Sequence, residues 1–409
     1  MAQVPWVRSG RRGRAAVGVI AAAVILGLGS LLVGSGALRP NPSPPPPAAA
    51  VLSAAPSESA VPSVSPPASA SPTASPSDSA SPDVAPSPSP TSSPAPAEFA
   101  QPGYATLDGV AIKDQLGHRL PVAVMVDDNV SARPQYGFNR ASIVYQAPAD
   151  GGEDRYMMVF QEQDAPRVEP IRSGRPYFVN WAAEYRVAFA HFGGDWKTTQ
   201  IFLPALDGHY IYNIDALAGS GGPFHRDGRR IAPHNAFGAT AAIRRLALRR
   251  GAPALLPDGV GVRPFTDDLP ASQRPASGSI TVPYNRGTTS YSYNSTTNSY
   301  LRSVAGRPQF EAGDGKRVTT RNVVVLFMHV SIDPQSGSGH ARPVLAQIGT
   351  GKALVFHDGH VYAGTFSKLS SVDVTRFYDA SGKEIPLVRG RIFIQVVPIG
   401  TRVTYKAAK

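Results

Sequence analysis

No cysteine occurs among the 409 residues. That absence excludes disulfide staples, Cys-ligated zinc or iron–sulfur centres, and thiolate nucleophiles. Cysteine-dependent transpeptidases, sortases and endopeptidases are excluded with them. Acids are missing from residues 1–40, which carry five arginines (Arg8, Arg11, Arg12, Arg14, Arg39). Bases are missing from residues 41–100, which carry four acids (Glu58, Asp78, Asp83, Glu98). The remaining 309 residues hold 35 bases and 25 acids, so most of the net charge of +11 is spread over one long segment. It contains no Lys/Arg run long enough for a nucleic-acid arm, and nucleic acid is not an expected partner.

Several catalytic signatures are also missing. No Gly-x-Ser-x-Gly elbow, no His-Glu-x-x-His and no complete penicillin-binding set occurs. Gly349-Thr-Gly-Lys352 lacks the upstream Gly and the following Ser or Thr of a phosphate loop, with Ala346 and Ala353 at those places. His357 and His360 bracket a turn and would face each other across a hairpin. No further ligand completes a zinc site there, so no metal and no cofactor are expected.

Two terminal segments are defined by composition. Ala15–Leu38 has no charged side chain, and 24 residues of helix at 1.5 Å each give roughly 36 Å, enough to cross a ~30 Å hydrocarbon core. The basic tail of residues 1–14 holds that end in the cytoplasm, which predicts a single-pass anchor over residues 15–38 with the rest of the chain extracytoplasmic. A signal peptide cleaved after Ala37, in Ser35-Gly36-Ala37, is the competing reading. Between Asn41 and Ala100 there are 17 Pro, 16 Ser and 14 Ala. Such a stretch cannot bury enough apolar surface to offset its ordering entropy, so residues 39–102 read as a disordered linker.

From about Gly103 the pattern is globular. Val122–Val126, Ile143–Tyr145, Tyr156–Phe160 and Val187–His191 are short apolar runs of buried strands. Helices are expected at Tyr177–Tyr185, at Thr198–Leu203 ending at Pro204, and at Ala239–Arg250 ending at Gly251. Pro253–Gly278 reads as a connection. Beyond it come only strands, including the Tyr291–Tyr293/Tyr300–Arg302 hairpin, Val323–Val330, Leu354–Phe356 and Val361–Tyr362 around Asp358-Gly359, and Arg391–Val397. The expected fold class is α+β: layered mixed sheets with helices in an N-terminal domain (103–270), followed by a β-rich C-terminal domain (279–409).

Polar residues gather at the ends of the first-half strands. Asp127 and Asn129 follow the first strand, Arg155 follows Gly151-Gly152, and Arg172-Ser173-Gly174-Arg175 is a compact cationic loop. His191 and Asp195 bracket Gly193-Gly194, and the 224–235 segment ends in Arg230, His234 and Asn235. Strand ends are where clefts form, and converging guanidiniums suit a carboxylate or phosphate. The alternative is that Arg172 and Arg175 pair with Asp127, Glu169 or Asp195 and only lock loops together.

The segments PVAVMVDDNVSARPQYGFNRASIVYQAPADGGEDRYMMVFQ, EPIRSGRPYFVNWAAEY, AHFGGD and RIAPHN resemble the N-terminal domain of the YerB-like family, bacterial extracytoplasmic lipoproteins of unassigned activity. TTSYSYNSTTNSYLRSVAG, NVVVLF and the stretch from KALVFHDGHVYAGTFSK to RIFIQVVP resemble its C-terminal domain. The resemblance implies a family pattern at Asp127, Asn129, Arg133, Pro134, Gly151, Gly152, Arg155, Arg172, Arg175, His191, Gly193, Arg230, Pro233, His234 and Asn235. Gln146 stands where relatives more usually have Glu, and the lipid-modified Cys of lipoprotein relatives is absent.

Asp127, Asn129, Arg155, Arg172, Arg175, His191, Asp195, Arg230, His234 and Asn235 are therefore the expected ligand-binding residues, and no catalytic residue is assigned. The expected function is a membrane-anchored binding or scaffold protein of the bacterial envelope. Its expected partners are the cytoplasmic membrane and an anionic cell-wall component. An envelope enzyme acting on a phosphate-linked glycan or lipid-linked substrate is the alternative.

Overall fold

In the computed structural model, residues 102–219, 222–336 and 340–407 are described. The anchor expected over 15–38, and all but the last residue of the expected linker, lie outside them. Among the described residues no helix is long and apolar enough to cross a membrane.

The unbroken apolar runs of the first half have a simple cause: their strands are covered on both faces. In β1 (Val122–Asp127) every residue is buried. Val122, Val124 and Val126 enter one apolar cluster, while Ala123 and Met125 enter another across the sheet. With β2 (Ile143–Pro148), β3 (Asp154–Phe160), β4 (Ala188–His191) and β5 (Tyr212–Asp215), it forms half of a ten-stranded mixed sheet. The order on this side is β2-β3-β1-β4-β5, with β1, β4 and β5 parallel and β3 antiparallel to its neighbours.

The other five strands come from the second half: Asn322–Met328, Gly349–His357, His360–Lys368, Arg376–Asp379 and Ile392–Pro398. Ile392–Pro398 joins the halves, lying parallel both to β2 and to Asn322–Met328. One sheet thus runs through both expected domains. A second, six-stranded sheet (277–284, 287–294, 299–304, 307–308, 319–320, 404–407) packs Ile280, Val282, Tyr291 and Tyr300 onto the face that carries Val124 and Val325.

Helices are few. α1 (Pro176–Ala183) covers the opposite face with Phe178, Trp181 and Ala182; α2 is Leu203–Leu206 and α3 is Thr240–Arg249. These helices all fall in the first half, but they are short and do not make it a helical domain. The described residues are mixed and sheet-rich in both halves, with few helices. Pro204 is a correction to the expected helix ends. It does not stop the Thr198 helix but sits in the first turn of α2, after a π-helical turn at Thr198–Phe202, where its missing N–H is no loss. α3 does end as expected, with Gly251 at φ +92° just past its C-cap.

Candidate functional site

Asp127 closes β1, and its register partner on β3 is Arg155. One oxygen of the buried Asp127 carboxylate, Oδ2, accepts a hydrogen bond from His234 Nδ1 at 2.6 Å and lies 3.1 Å from Arg172 Nε. The other, Oδ1, accepts from the Asn129 backbone N–H at 3.2 Å. Asp127 is therefore the hub on which a loop cation and a loop imidazole meet.

The cationic loop reaches this hub by wedging between the ends of β1 and β4. Arg172 N–H donates to the Met125 carbonyl at 2.9 Å, and its own carbonyl accepts from Phe192 N–H at 2.9 Å. Gly174 N–H donates to the Gly193 carbonyl at 2.9 Å. Gly193 has φ +66°, a left-handed conformation that favours glycine at this turn, while a Cβ there would meet only the movable end of the exposed Leu217. Arg155 Nη1 donates to the Ser173 carbonyl at 3.1 Å and supports the loop from below. Its Nε is buried without a hydrogen-bond partner, and no carboxylate pairs with it among the described residues. Burial, with the like charge of Arg175, brings the Arg155 guanidinium down to about 10.

Arg175 turns to a different cluster. Its Nε donates to Asp150 Oδ1 at 2.8 Å, its Nη2 pairs with Asp150 Oδ2, and Asp195 Oδ2 is 3.7 Å away. Burial works against ionisation of Asp150, but the hydrogen bonds and charge of Arg175 outweigh it and hold the carboxyl below its ordinary range. Asp195 accepts from the N–H and Oγ1 of Thr198, at 3.0 and 2.9 Å, and so anchors the turn that begins there. Arg172 and Arg175 are three residues apart but serve different carboxylates.

The remaining expected residues position the loops. Arg230 donates to the carbonyls of Ala132 (2.9 Å) and Pro134 (2.7 Å), with Glu169 3.7 Å from its Nε. Asn235 accepts from Arg226 Nη1 at 2.7 Å and donates to the Asp227 and Arg230 carbonyls, so the turn before it presents His234. Asn129 accepts from Ser131 N–H and donates to Glu153. His191 is fully buried, with its ring nitrogens bonded to the Gly193 carbonyl and to Asn213 Oδ1, both at 2.8 Å. The structure thus brings Asp127, Arg172 and His234 into direct contact with Arg155 behind them. It uses Asn129, His191, Arg230 and Asn235 as scaffolding, and sends Arg175 and Asp195 next door.

Two outward-facing groups define what this arrangement can do. Among the described residues, neither the Arg172 Nη groups nor His234 Nε2 has a hydrogen-bond partner, while Arg172 and His234 keep 25% and 19% of their side-chain surface exposed. An oxyanion could bridge them, and Nε2 could move a proton. His357 and His360 do face each other in register, but His357 bonds to Asp358 and stacks on Tyr362, and His360 bonds to the Gln273 carbonyl. No group of three or more His, Asp or Glu among the described residues is arranged to hold a metal ion.

Sequence reasoning missed Asp150 as the partner of Arg175. The available signal was its place just before Gly151-Gly152, whose φ values of +65° and +76° turn the chain back toward the loop.

Comparison with known proteins places the chain in a family. Residues 107–252 match the family described as "Protein of unknown function (DUF3048) N-terminal domain", and residues 280–394 match the corresponding C-terminal domain. The Bacillus subtilis protein named "Putative lipoprotein YerB" is 29% identical over 306 residues, covering 72% of this chain and 86% of that protein. The crystal structure of YerB from Bacillus subtilis aligns with a TM-score of 0.65 at 25% identity, covering 74% of this chain and 99% of that one. Both domains of the family occur here in order along one chain, and the protein belongs to the YerB-like family.

Proposed function

We propose that this protein is a membrane-anchored, extracytoplasmic binding protein of the bacterial cell envelope, and that its strand-end cluster takes an anionic ligand. Supporting the location are the charge-free span 15–38 behind a basic tail, the Pro/Ser/Ala-rich stretch after it, and a relative named as a lipoprotein. Protease added to intact spheroplasts should digest the C-terminal half; full protection would reject the topology.

The observation that carries the binding reading is the sharing of one buried carboxylate by Arg172 and His234. Asp127 fixes both side chains by one edge and leaves the Arg172 Nη groups, and His234 Nε2 when the imidazole is protonated, as donors facing outward. Arg155 stands behind them with no carboxylate in ion-pair contact among the described residues, though Asp150 and Asp127 act on it at longer range. A phosphate or carboxylate would find oriented, charge-assisted donors there. Calorimetric titration with inorganic phosphate tests this. Arg172→Ala should weaken binding by ~1–3 kcal/mol, the scale of one charge-assisted hydrogen bond. Identical phosphate isotherms for the wild type and Arg172→Ala would reject the site.

The Asp127–His234 contact also supports a second reading, an envelope enzyme acting on a phosphate-linked glycan or lipid-linked substrate. A carboxylate holding Nδ1 leaves Nε2 as the atom able to accept a proton, the arrangement of a general base. Mg²⁺-dependent phosphate release from a lipid-linked substrate, abolished by His234→Ala, would favour it over simple binding.

A further inference from the structure

Beside Arg175 lies a cleft of about 290 Å³, close to the lower end of the ~300–1,000 Å³ range of small-molecule sites. It opens between α1, the turn at 198–202 and a small hairpin formed by Val330–Ile332 and Pro343–Leu345. Asp127, Arg172 and His234 are not part of its walls. Three cations line it. Arg175 is held by Asp150, and Lys197 is held by Asp333 at 2.9 Å. The third, the half-buried Arg342, has no side-chain partner among the described residues. Asp195 also lines the cleft, and the charges of Asp150 and Asp333 reach Arg342 without touching it, so Arg342 is the one cation of the wall whose guanidinium donors stay open among the described residues.

A second feature is independent of charge. Asn180 projects from α1, is 94% buried, lines the cleft, and its amide makes no hydrogen bond among the described residues. Buried amides are ordinarily partnered, so an open one at a cleft wall marks a place for a polar group from outside. The opposite wall is apolar, with Phe202, Val344 and Leu345.

We infer that this cleft binds a small monoanionic carboxylate with an apolar body. The carboxylate lies on the Arg342 guanidinium and the Asn180 amide, and the apolar part lies against Phe202, Val344 and Leu345. A carboxylate suits a guanidinium whose donors are open, and a single charge adds least repulsion from Asp195 and Asp333 in the same walls. The site is separate from the Asp127 cluster and does not depend on the reading given to that cluster.

The test uses phenylacetate as probe, with acetate (charge only) and benzyl alcohol (apolar body only) as controls, titrated into the full chain by calorimetry. Phenylacetate should bind saturably and at least about tenfold tighter than either control. Arg342→Ala should lower phenylacetate affinity about tenfold, while Arg172→Ala leaves it unchanged. Val344→Glu, a substitution on a half-exposed wall that places a negative charge in the cleft, should abolish binding without lowering the melting temperature. Absence of saturable phenylacetate binding, equal affinity for acetate, or full affinity in Arg342→Ala would each overturn the inference. So would loss of phenylacetate binding in Arg172→Ala with retention in Arg342→Ala, which would move the anion to the strand-end cluster.

Discussion

Two groups of charged side chains in this molecule are built from the same residue types to opposite ends. In the interior, Glu184 accepts from Lys368 Nζ at 2.8 Å and from Thr375 Oγ1 at 2.6 Å, with Arg263 at 3.7 Å, and all three charged residues are almost completely buried. Arg302, on the other face of the sheet, is fully buried and donates to Gln146, Tyr156, Thr289, Tyr291 and Gln309. At the strand ends, Arg172 has the Asp127 carboxylate 3.1 Å from its Nε as an ion pair, and its Nη groups have no hydrogen-bond partner among the described residues. Between Arg302 and Arg172 the difference is in how many donors are used up; Arg263, by contrast, keeps Nε and Nη1 buried without a hydrogen-bond partner. A guanidinium with every donor engaged is a staple between segments, and here Arg302 ties β2 and β3 to the six-stranded sheet. A guanidinium held by one edge is oriented yet available.

The comparison is broken most directly at Glu184. Glu184→Ala would leave Lys368 and Arg263 buried without their carboxylate, at a cost of about 3–5 kcal/mol. Urea denaturation measures it, and a loss under about 1 kcal/mol would mean that the interior charges are not staples.

Arg175 should come next. It belongs to the cationic loop in sequence but to the staples in geometry, since Asp150 and the Gly174 carbonyl engage it. Arg175→Ala should therefore destabilise by ~1–3 kcal/mol, the cost of leaving a largely buried partner unmet. A stability change no larger than that of Arg172→Ala would erase the distinction drawn between the two arginines.

A third, smaller effect has the opposite sign. Asp154, buried at the start of β3, has its carboxyl pushed well above the ordinary range by burial, with the nearby Asp128 and Glu153 adding to it. An acid raised in the folded state contributes stability that is complete below its unfolded value of about 3.9 and is lost as pH rises through the folded value. Asp154→Asn should therefore stabilise the protein at pH 7, with the gain fading as the pH drops toward about 4. Melting curves across that range check it; a gain independent of pH would point to packing instead of ionisation.

How much of this was legible in the sequence follows from whether the signal was local. The runs at Val122–Val126 and Tyr156–Phe160 became β1 and β3, and Asp358-Gly359 forms the expected turn with φ values of +52° and +77°, the left-handed pair a tight hairpin needs. Nothing local told that Ile392–Pro398 pairs with Ile143–Gln146, because parallel neighbours need no shared turn. A single sheet through both halves was invisible for that reason. The site shows the same division. That Arg172 and Arg175 pair with Asp127, Glu169 or Asp195 could be named from sequence as one of two readings; Arg172 meets Asp127 and Arg175 lies 3.7 Å from Asp195, whereas Glu169 is taken by Arg167 and Arg230. Which of the two arginines keeps open donors depended on Asp150, brought back by a glycine turn that periodicity does not encode.

The smallest expected stability change is at Arg172 itself, and it sharpens the comparison most. Its side chain is one-quarter exposed, so its attraction to Asp127 is partly screened by solvent. Removing it leaves Asp127 with His234 and the Asn129 N–H, and the carboxylate is not stranded as the interior charges would be. Arg172→Ala should then cost no more than ~1 kcal/mol in denaturant, while removing most of any phosphate-dependent rise in melting temperature. The double substitution with His234→Ala separates the possibilities further. If both side chains serve a shared anion, the phosphate response of the double variant should be no lower than that of either single variant, because each alone already destroys the bridge. A large drop in intrinsic stability for Arg172→Ala, with no phosphate response in the wild type, would class this arginine with Arg175 and Arg302 as a staple.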